Sequence, residues 1–401
     1  MARRVSRPSW MFLTSFLALA LALLMVGCTL PGSPFSNTKT AAATPAVAPA
    51  KPLNWQKRTL PIKTKFSDGT FSLANAEAAW ICTTTDSATK VWVSTDQAQH
   101  WHSTTDIKSA DAQPQDVCIV TADAIDPKTA IVAIYHANDM ITSSTQRITH
   151  DSGQTWSSID SPLSYATALA SYHGMTYALF GPGVPHSVFV ASSDGLRTWH
   201  QIDEHMPTQL PEYGPGVIRF WVNPITGELL ANTPSDQGIT EKLLTSHDNG
   251  KTWSTITLPT SSTSHIFMVQ TPSASGFWTI CDTQYTGRVT FTLACTWDSG
   301  KTWSKSEQAL VSSQPFQDIA IANDGSLLSV TFDTNTTLQA QGIQRLAPGK
   351  KTWESLGPLP NLTYPTYNKF QYQAGNGTGY LWFIPQPYTQ DTNVVYVASY
   401  A

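Results

Sequence analysis

An eight-residue pattern, Ser/Thr-x-Asp-x-Gly-x-Thr-Trp, recurs along most of this sequence and constrains its fold more than any other feature. The closing Trp residues are spaced by 55, 43, 54, 50 and 50 residues. A period near 50 predicts an array of similar units, each burying its apolar face only against its neighbours. The pattern is complete in three segments, has its glycine one place early in a fourth, and is partial in two more: 149–156, 246–253, 296–303, then 192–199, then 94–101 and 349–353.

The residue types of the pattern predict a tight turn between two strands. The Asp carboxylate can accept backbone N–H bonds within the turn, and Gly supplies a positive φ. Thr and Trp then open the next strand, where the indole covers apolar surface. Ligand or metal binding is the alternative, but a motif present once per unit favours a structural role. That role is assigned to Asp96, Trp101, Asp151, Gly153, Trp156, Asp194, Trp199, Asp248, Gly250, Trp253, Asp298, Gly300, Trp303 and Trp353.

Each unit also carries an earlier hairpin, with turns such as His173-Gly174 and Asn323-Asp324-Gly325 between alternating strand-like runs. The unit is therefore four antiparallel strands, which is one blade of a β-propeller. The repeated pattern resembles the Asp-box, or BNR, repeat of sialidase-like β-propellers. This resemblance covers essentially the whole chain after residue 52.

The ends of the chain complement one another. Residues 54–61 resemble the outer strands that follow the other turns, but no blade precedes them, and residues 365–401 supply three strands without a fourth. We therefore predict an all-β fold: a seven-bladed β-propeller of four-stranded blades, closed by the N-terminal strand completing the C-terminal blade. Closure of this kind leaves no free sheet edge at the seam.

The N-terminus is typical of a targeting signal. Arg3, Arg4 and Arg7 precede an apolar run over 11–26, which is short for a spanning helix but suits a signal peptide. The run ends in Met25-Val26-Gly27-Cys28, which resembles a bacterial lipobox. The resemblance implies lipidation of Cys28 and an exported protein anchored to the outer face of the bacterial cell membrane. An ordinary signal peptide, or a short anchor with an incidental cysteine, is the alternative.

These features divide the chain into a lipoprotein signal peptide at 1–27, a Pro/Ala/Thr-rich tether at 28–52 and the propeller at 53–401. Lys plus Arg number 24 against 28 Asp plus Glu, a net charge of −4, so no basic excess suits nucleic acid. The expected partners are the membrane, through the acyl anchor, and an unknown protein or carbohydrate. No cofactor or metal site is predicted.

Four further cysteines fit an exported protein, in which an even number suggests disulfides. We favour Cys281 with Cys295 within one blade, and Cys82 with Cys118 across neighbouring blades. The alternative is that all four are buried free thiols, since free cysteine is a common core residue.

In the sialidase-like family, the binding site lies on the face opposite the Asp boxes. Acids and aromatic rings in the loops of that face suit a glycan, through hydrogen bonds and stacking on sugar faces. Ordinary solvated loop residues are the alternative. If the protein is an enzyme, the candidate catalytic residues are Glu212, Tyr213, Arg219, Asp282, Tyr285 and Arg288.

The chemistry of sialidases needs three Arg converging on a carboxylate, a Tyr nucleophile with a Glu, and an Asp acid/base. An Arg-Ile-Pro motif usually carries the first Arg, but the corresponding segment here reads Leu60-Pro61-Ile62-Lys63. We therefore expect a non-catalytic, lipid-anchored scaffold that binds a protein or glycan at the cell surface. Lipoprotein propellers that help to assemble photosystem II are similar in length, lipobox and blade number. The alternative is a glycoside hydrolase of the sialidase-like group, either an exo-sialidase or another two-carboxylate glycosidase.

Overall fold

The computed structural model consists almost entirely of antiparallel strands. A 3₁₀ turn, Asp203–His205, is the one helical element in the part of the chain that it describes, and no helix there is long and apolar enough to cross a membrane. The predicted signal peptide, Cys28 and nearly all of the predicted tether lie outside the described residues. The structure describes residues 51–64, 70–85, 88–108, 117–135, 144–159, 165–181, 187–207, 217–234, 241–259, 266–270, 276–285, 290–309, 319–332, 340–360, 368–373, 378–385 and 392–400.

The described strands form seven antiparallel sheets, which we number along the chain. Sheet 1 holds β2 (Phe71–Leu73), β3 (Ala79–Thr84), β4 (Ala88–Ser94), β5 (His102–Ser103) and β6 (Ile107–Lys108); sheet 2 holds β7 (Val117–Ala122), β8 (Ala130–Tyr135), β9 (Ser144–Thr149) and β10 (Ser157–Ser158); sheet 3 holds β11 (Ala166–Tyr172), β12 (Met175–Phe180), β13 (Val188–Ser192) and β14 (His200–Gln201). Sheet 4 holds β15 (Arg219–Val222), β16 (Leu229–Pro234), β17 (Glu241–Ser246) and β18 (Ser254–Thr255); sheet 5 holds β19 (Ile266–Gln270), β20 (Thr279–Tyr285), β21 (Thr290–Thr296) and β22 (Ser304–Ala309). Sheet 6 holds β23 (Ile319–Ile321), β24 (Leu327–Phe332), β25 (Ala340–Leu346) and β26 (Glu354–Pro358); sheet 7 holds β27 (Asn368–Gln373), β28 (Gly379–Pro385), β29 (Thr392–Tyr400) and β1 (Gln56–Thr64).

Apart from β1, which joins sheet 7, strands that follow one another in sequence lie side by side in each sheet as a meander, so the all-β propeller with four-stranded blades is confirmed. Sheet 1 departs from the pattern because β4 pairs with both β5 and β6, so its outer strand is in two short pieces. The interruption lies beside sheet 2, where the backbone N–H of Thr105 donates to the Gly153 carbonyl at 2.9 Å.

The first strand in the described part of the chain is the fourth strand of the last sheet. β1 pairs antiparallel with β29, with Arg58 opposite Val395, as the sequence predicts. Ahead of this strand, the Leu53 N–H donates to the Leu356 carbonyl of sheet 6 at 2.8 Å. The segment 53–64 is therefore bonded both to β29 and to the preceding sheet.

Seven hydrophobic clusters join consecutive sheets, and each includes one indole from the start of a fourth strand. In every case the Trp lies at or just before the start of a fourth strand and packs against the sheet that comes before it. The last two clusters join sheet 6 to sheet 7 and sheet 7 back to sheet 1, so the packing returns to its starting point. The indoles are Trp55, Trp101, Trp156, Trp199, Trp253, Trp303 and Trp353.

The meander gives the molecule two distinct faces. Turns between the first and second strands, and between the third and fourth strands, lie at one end, which we call the turn face. Connections between the second and third strands, and from one sheet to the next, lie at the other end, which we call the loop face. Most of the loop-face connections fall outside the described residues.

Two disulfides are present, and they join the same pairs that the sequence favours. Cys82 and Cys118 link β3 of sheet 1 to β7 of sheet 2, with their Cα atoms 6.2 Å apart. Cys281 and Cys295 lie directly opposite one another on β20 and β21 within sheet 5, with their Cα atoms 4.2 Å apart.

Candidate functional site

Five turns between third and fourth strands each contain the same pattern of hydrogen bonds. We call them the repeated turns of sheets 1 to 5. In the turn of sheet 4, the Ser246 hydroxyl donates to Asp248 Oδ1 at 2.8 Å and accepts the Gly250 N–H at 2.9 Å. Asp248 Oδ1 also accepts the Thr252 N–H at 2.9 Å, and its Oδ2 accepts the Thr252 hydroxyl at 2.6 Å. The repeated turns span residues 94–101, 149–156, 192–199, 246–253 and 296–303.

The carboxylates of these turns are satisfied within their own turns. The hydrogen bond from the Thr252 hydroxyl, followed by the one from its backbone N–H, lowers the pKa of Asp248 to about 2. Asp194 has the same arrangement with Thr198, and its pKa is also lowered to about 2. Where sheet 1 lacks the Thr, His100 Nδ1 lies 2.6 Å from Asp96 Oδ2 in its place. Each carboxylate is thus used to hold its turn together, which favours the structural role.

Of the candidate catalytic residues, the structure describes Arg219, Asp282 and the backbone of Tyr285. Arg219 is exposed at the start of β15, the first strand of sheet 4. Asp282 lies within β20 of sheet 5 and is only 1 % exposed, and Tyr285 ends that strand. Glu212, Tyr213 and Arg288 lie outside the described residues, as does the side chain of Tyr285. Arg219 and Asp282 occupy different sheets, and Asp282 is buried away from solvent.

The arginines after residue 52 number six, and the structure describes five of them. Arg345 on β25 is buried, with Nε donating to the Ser326 hydroxyl at 3.0 Å and Nη2 lying 3.2 Å from Asp324 Oδ2. Arg58 Nε donates to the Gln97 carbonyl at 3.2 Å. The remaining described arginines are Arg147 on a third strand, Arg197 in the repeated turn of sheet 3, and Arg219.

A groove of about 370 Å³ opens on the turn face between sheets 2 and 3. Its wall from sheet 2 contains a chain of three polar side chains. The Thr129 hydroxyl donates to Asp126 Oδ2 at 2.7 Å and lies 3.1 Å from His150 Nδ1. Because the single hydroxyl proton goes to Asp126, the hydroxyl accepts from His150 Nδ1–H. This hydrogen-bond network assigns the Nδ1–H tautomer to neutral His150 and leaves Nε2 as an acceptor.

The wall from sheet 3 is shaped to receive this imidazole. A Cβ added to Gly195 would lie 2.6 Å from His150 Nε2. Arg197, two residues further along the same repeated turn, lines the groove and is exposed. The groove thus places an acceptor nitrogen, a guanidinium and carboxylates around one opening.

Sequence reasoning did not find this groove, because it treated the turn face as purely structural. Two signals point to it: the glycine that comes one place early in residues 192–199, and a histidine at the second position of the preceding motif. Their meaning depends on which turns are neighbours in space, which the repeat alone does not give. Within the described residues, no group of three or more His, Cys, Asp or Glu side chains is arranged to hold a metal ion.

No protein-family model matches the sequence, and no curated protein matches it. Among solved structures, "YCF48 bound to D1 peptide" matches with a TM-score of 0.51 at 13 % identity, covering 87 % of this chain and 99 % of that chain. YCF48 from Cyanidioschyzon merolae matches with a TM-score of 0.51 at 15 % identity, covering 86 % and 98 %. A Trypanosoma rangeli sialidase in complex with 2,3-difluorosialic acid matches with a TM-score of 0.42 at 12 % identity, covering 87 % and 59 %. At these identities the likeness shows the propeller fold alone.

Proposed function

We propose that this chain is a non-catalytic scaffold that binds a protein or glycan at the cell surface. In this proposal the seven sheets are the blades of a single closed ring, and the repeated turns are Asp boxes. A lipid on Cys28 holds the ring at the outer face of the bacterial cell membrane. The loop face, which carries Arg219, is the binding face.

The placement of the arginines is the main observation in favour of a non-catalytic protein. Of the six arginines after residue 52, Arg58 and Arg345 are held by contacts elsewhere, Arg147 lies on a third strand and Arg197 lies on the turn face. Among the described arginines only Arg219 is left for the loop face, and the sixth, Arg288, lies outside the described residues. Even with Arg288 counted, three guanidiniums converging on one carboxylate, the arrangement expected of a sialidase, would need one more.

The path of the chain supports an orientation in which the loop face points away from the membrane. β1 is the fourth strand of sheet 7, and fourth strands begin at the turn face. A tether over residues 28–52 would therefore join the ring on the turn face and leave the loop face open. Extended at about 3 Å per residue, it would reach several tens of Å from the membrane.

The likeness to YCF48 supports a protein ligand rather than a substrate. That propeller matches 99 % of its own length to this chain and is described as bound to a peptide. By analogy of fold, the loop face of the present ring is proposed to accept an extended segment of a partner protein.

A panel of fluorogenic glycosides, applied to the full chain in membrane vesicles, tests the absence of catalysis. We expect no turnover above a vesicle blank. Turnover that is abolished by Glu212→Gln, with the melting temperature unchanged, would instead establish the glycoside hydrolase alternative.

The anchor is tested by Cys28→Ser. We expect the wild-type chain in the membrane fraction and the variant in the soluble exported fraction, because the lipid can no longer be attached at residue 28. A variant that stays in the membrane fraction would remove the lipid anchor from the proposal. Ser33→Ala, in the predicted tether close to Cys28, serves as a control and should not change the fraction.

A further inference from the structure

We propose that the turn-face groove between sheets 2 and 3 is a second binding site, which takes one neutral sugar unit against His150. This site lies on the opposite face from the proposed scaffold surface and does not depend on it. The proposal rests on how the imidazole is oriented, on how the neighbouring turn is altered to admit it, and on the groups that surround it.

The first support is the fixed orientation of His150. Thr129 is fully buried, and its hydroxyl joins the carboxylate of Asp126 to the imidazole Nδ1. Asp126 is itself held, since its Oδ1 accepts the Lys128 N–H at 3.1 Å. The chain of hydrogen bonds gives the buried Thr129 hydroxyl its partners and at the same time fixes the ring of exposed His150. Positioning of this kind is typical of a side chain that presents one ring nitrogen to a ligand.

The second support is the altered turn of sheet 3. In the repeated turns of sheets 2, 4 and 5, glycine at the fifth position has a positive φ and packs against the preceding sheet. In sheet 3 the fourth position is Gly195 and the fifth is Leu196, which keeps a φ of 65° although it is a buried leucine. The fifth position also has a φ of 59° at the buried Ala98 of sheet 1, so a left-handed residue other than glycine is tolerated there. What distinguishes sheet 3 is glycine at the fourth position, where a Cβ would lie 2.6 Å from His150 Nε2.

The third support is the mixture of groups that line the groove. Asp126, Asp194 and His150 Nε2 are acceptors, Arg197 is a donor, and the hydroxyl of Ser157 can act as either. Carboxylate oxygens accept more than one hydrogen bond each, so those already used within the protein keep capacity for a ligand. Sugar hydroxyls both donate and accept, and therefore match such a set around their ring.

The charge and the volume of the groove restrict the class of ligand further. Two carboxylates face one guanidinium, so the groove carries no positive excess for an anionic sugar or a phosphate. Its volume of about 370 Å³ is at the small end of ligand pockets, which run from roughly 300 to 1,000 Å³. Half-buried Met175 gives the lining an apolar contact for the C–H face of a sugar ring. A single neutral hexose unit fits these limits best.

Saturation-transfer NMR and calorimetry on the full chain in detergent test the site. The probes are the methyl glycosides of glucose, galactose, mannose and N-acetylglucosamine, with glucuronic acid and tri-lysine as charged comparisons. We expect at least one neutral glycoside to bind with a Kd of about 1 mM or tighter, and both charged probes to bind at least tenfold more weakly.

Two variants and two matched controls locate the binding. His150→Ala and Arg197→Gln should each weaken the neutral glycoside at least tenfold, by removing an acceptor and a donor. His247→Ala and Lys251→Gln change the corresponding positions of the repeated turn of sheet 4 and should leave the Kd unchanged. Melting temperatures of all four variants show whether each protein is folded before its affinity is compared.

Three results would overturn the proposal. One is no binding of any neutral glycoside at roughly 20 mM, a concentration well above the expected Kd. Another is a preference for glucuronic acid or tri-lysine, which would make the groove an ionic site. The third is equal loss of affinity in the His150 and Arg197 variants and in the sheet 4 controls, which would place the binding elsewhere. None of these results bears on the loop face, so the scaffold proposal is tested separately.

Discussion

The imidazole of His150 fills the space that a side chain at position 195 would need, with Nε2 2.6 Å from where the Cβ of residue 195 would lie. His150 belongs to the repeated turn of sheet 2 and Gly195 to that of sheet 3. This contact explains why the motif of residues 192–199 carries its glycine one place early. A departure from the repeat in one sheet is thus caused by a residue of the sheet before it.

The contact predicts a strong coupling between these two positions. Gly195→Ala should destabilise the protein by roughly 2–3 kcal/mol. The new methyl group would meet the imidazole, and the alanine would have to adopt the positive φ of Gly195. In a His150→Ala background, the same change should cost only the backbone strain of about 1–2 kcal/mol. Thermal or denaturant unfolding of the four proteins of this double-mutant cycle measures the coupling. Equal costs in both backgrounds would show that the two residues do not interfere.

The repeated turns make the stability of the ring depend on acid. A carboxylate whose pKa is lowered by folding adds stability above its ordinary pKa and loses it as the pH falls through the folded value. For Asp248 the loss should run from about pH 4 down to about pH 2, because Thr252 lowers its pKa to about 2. The melting temperature of the wild type should therefore fall over this interval. Asp248→Asn should melt lower at pH 6 and show a shallower fall; an unchanged slope would contradict the role of this carboxylate.

Asp123 is expected to have the opposite pH dependence. It is fully buried near the turn face of sheet 2, where its Oδ1 accepts the N–H groups of Ile125 and Asp126 at 2.8 and 2.9 Å. Burial raises its pKa, more than contacts with Ser171 and with these backbone amides lower it. A raised folded pKa adds stability at low pH, which is lost as the pH rises through the folded value.

The corresponding residue of sheet 4 is an asparagine, which shows how the cost of burying the Asp123 carboxylate could be avoided. Asn223 accepts the same two kinds of backbone N–H through Oδ1, and its Nδ2 donates to the Gly276 carbonyl of sheet 5 at 2.8 Å. Asp123→Asn should therefore stabilise the protein at pH 7 by about 1 kcal/mol or more. The reciprocal change, Asn223→Asp, should destabilise it by a similar amount or more. Chemical denaturation at pH 7 checks both, and a less stable Asp123→Asn variant would show that the two sites are not equivalent.

The repeat itself allowed much of the fold to be predicted, because Asp and Trp recur in most of the turns at a near-fixed spacing along the chain. Trp55 could be assigned to an outer strand in the same way, although no repeated turn precedes it. The direction in which each indole packs could not be predicted, since it depends on how one sheet is placed beside the next. Candidate site residues such as Glu212 were harder still, because a polar loop residue has no periodicity that distinguishes binding from solvation. The groove at His150 was missed for a related reason. It lies between two turns that are far apart in the sequence, since His150 and Gly195 are separated by 45 residues.

The two disulfides should differ modestly in their effect on stability. Cys82–Cys118 closes a separation of 36 residues and Cys281–Cys295 one of 14. Loop-closure entropy then predicts losses of about 4 and about 3 kcal/mol when each pair is replaced by Ser. Unfolding in urea measures both losses. A smaller loss for the Cys82/Cys118 pair would show that loop entropy does not dominate the contribution of the bond between sheets 1 and 2.

Strand β1 completes sheet 7 by pairing with β29, and a directed cross-link tests this pairing. Thr59 of β1 lies opposite Val394 of β29. Directly paired residues of antiparallel strands have Cα atoms about 4.5–5.5 Å apart, within the range that a disulfide requires. Ser399, also on β29, is about five residues further along and roughly 17 Å away at about 3.4 Å per residue.

The measurement is the yield of the cross-linked peptide by mass spectrometry after mild oxidation of the full chain. Thr59→Cys with Val394→Cys should form the disulfide nearly completely, whereas Thr59→Cys with Ser399→Cys should not form it. Equal yields from the two pairs, or no cross-link from the first pair in a folded protein, would contradict the closure of the ring by its N-terminal strand.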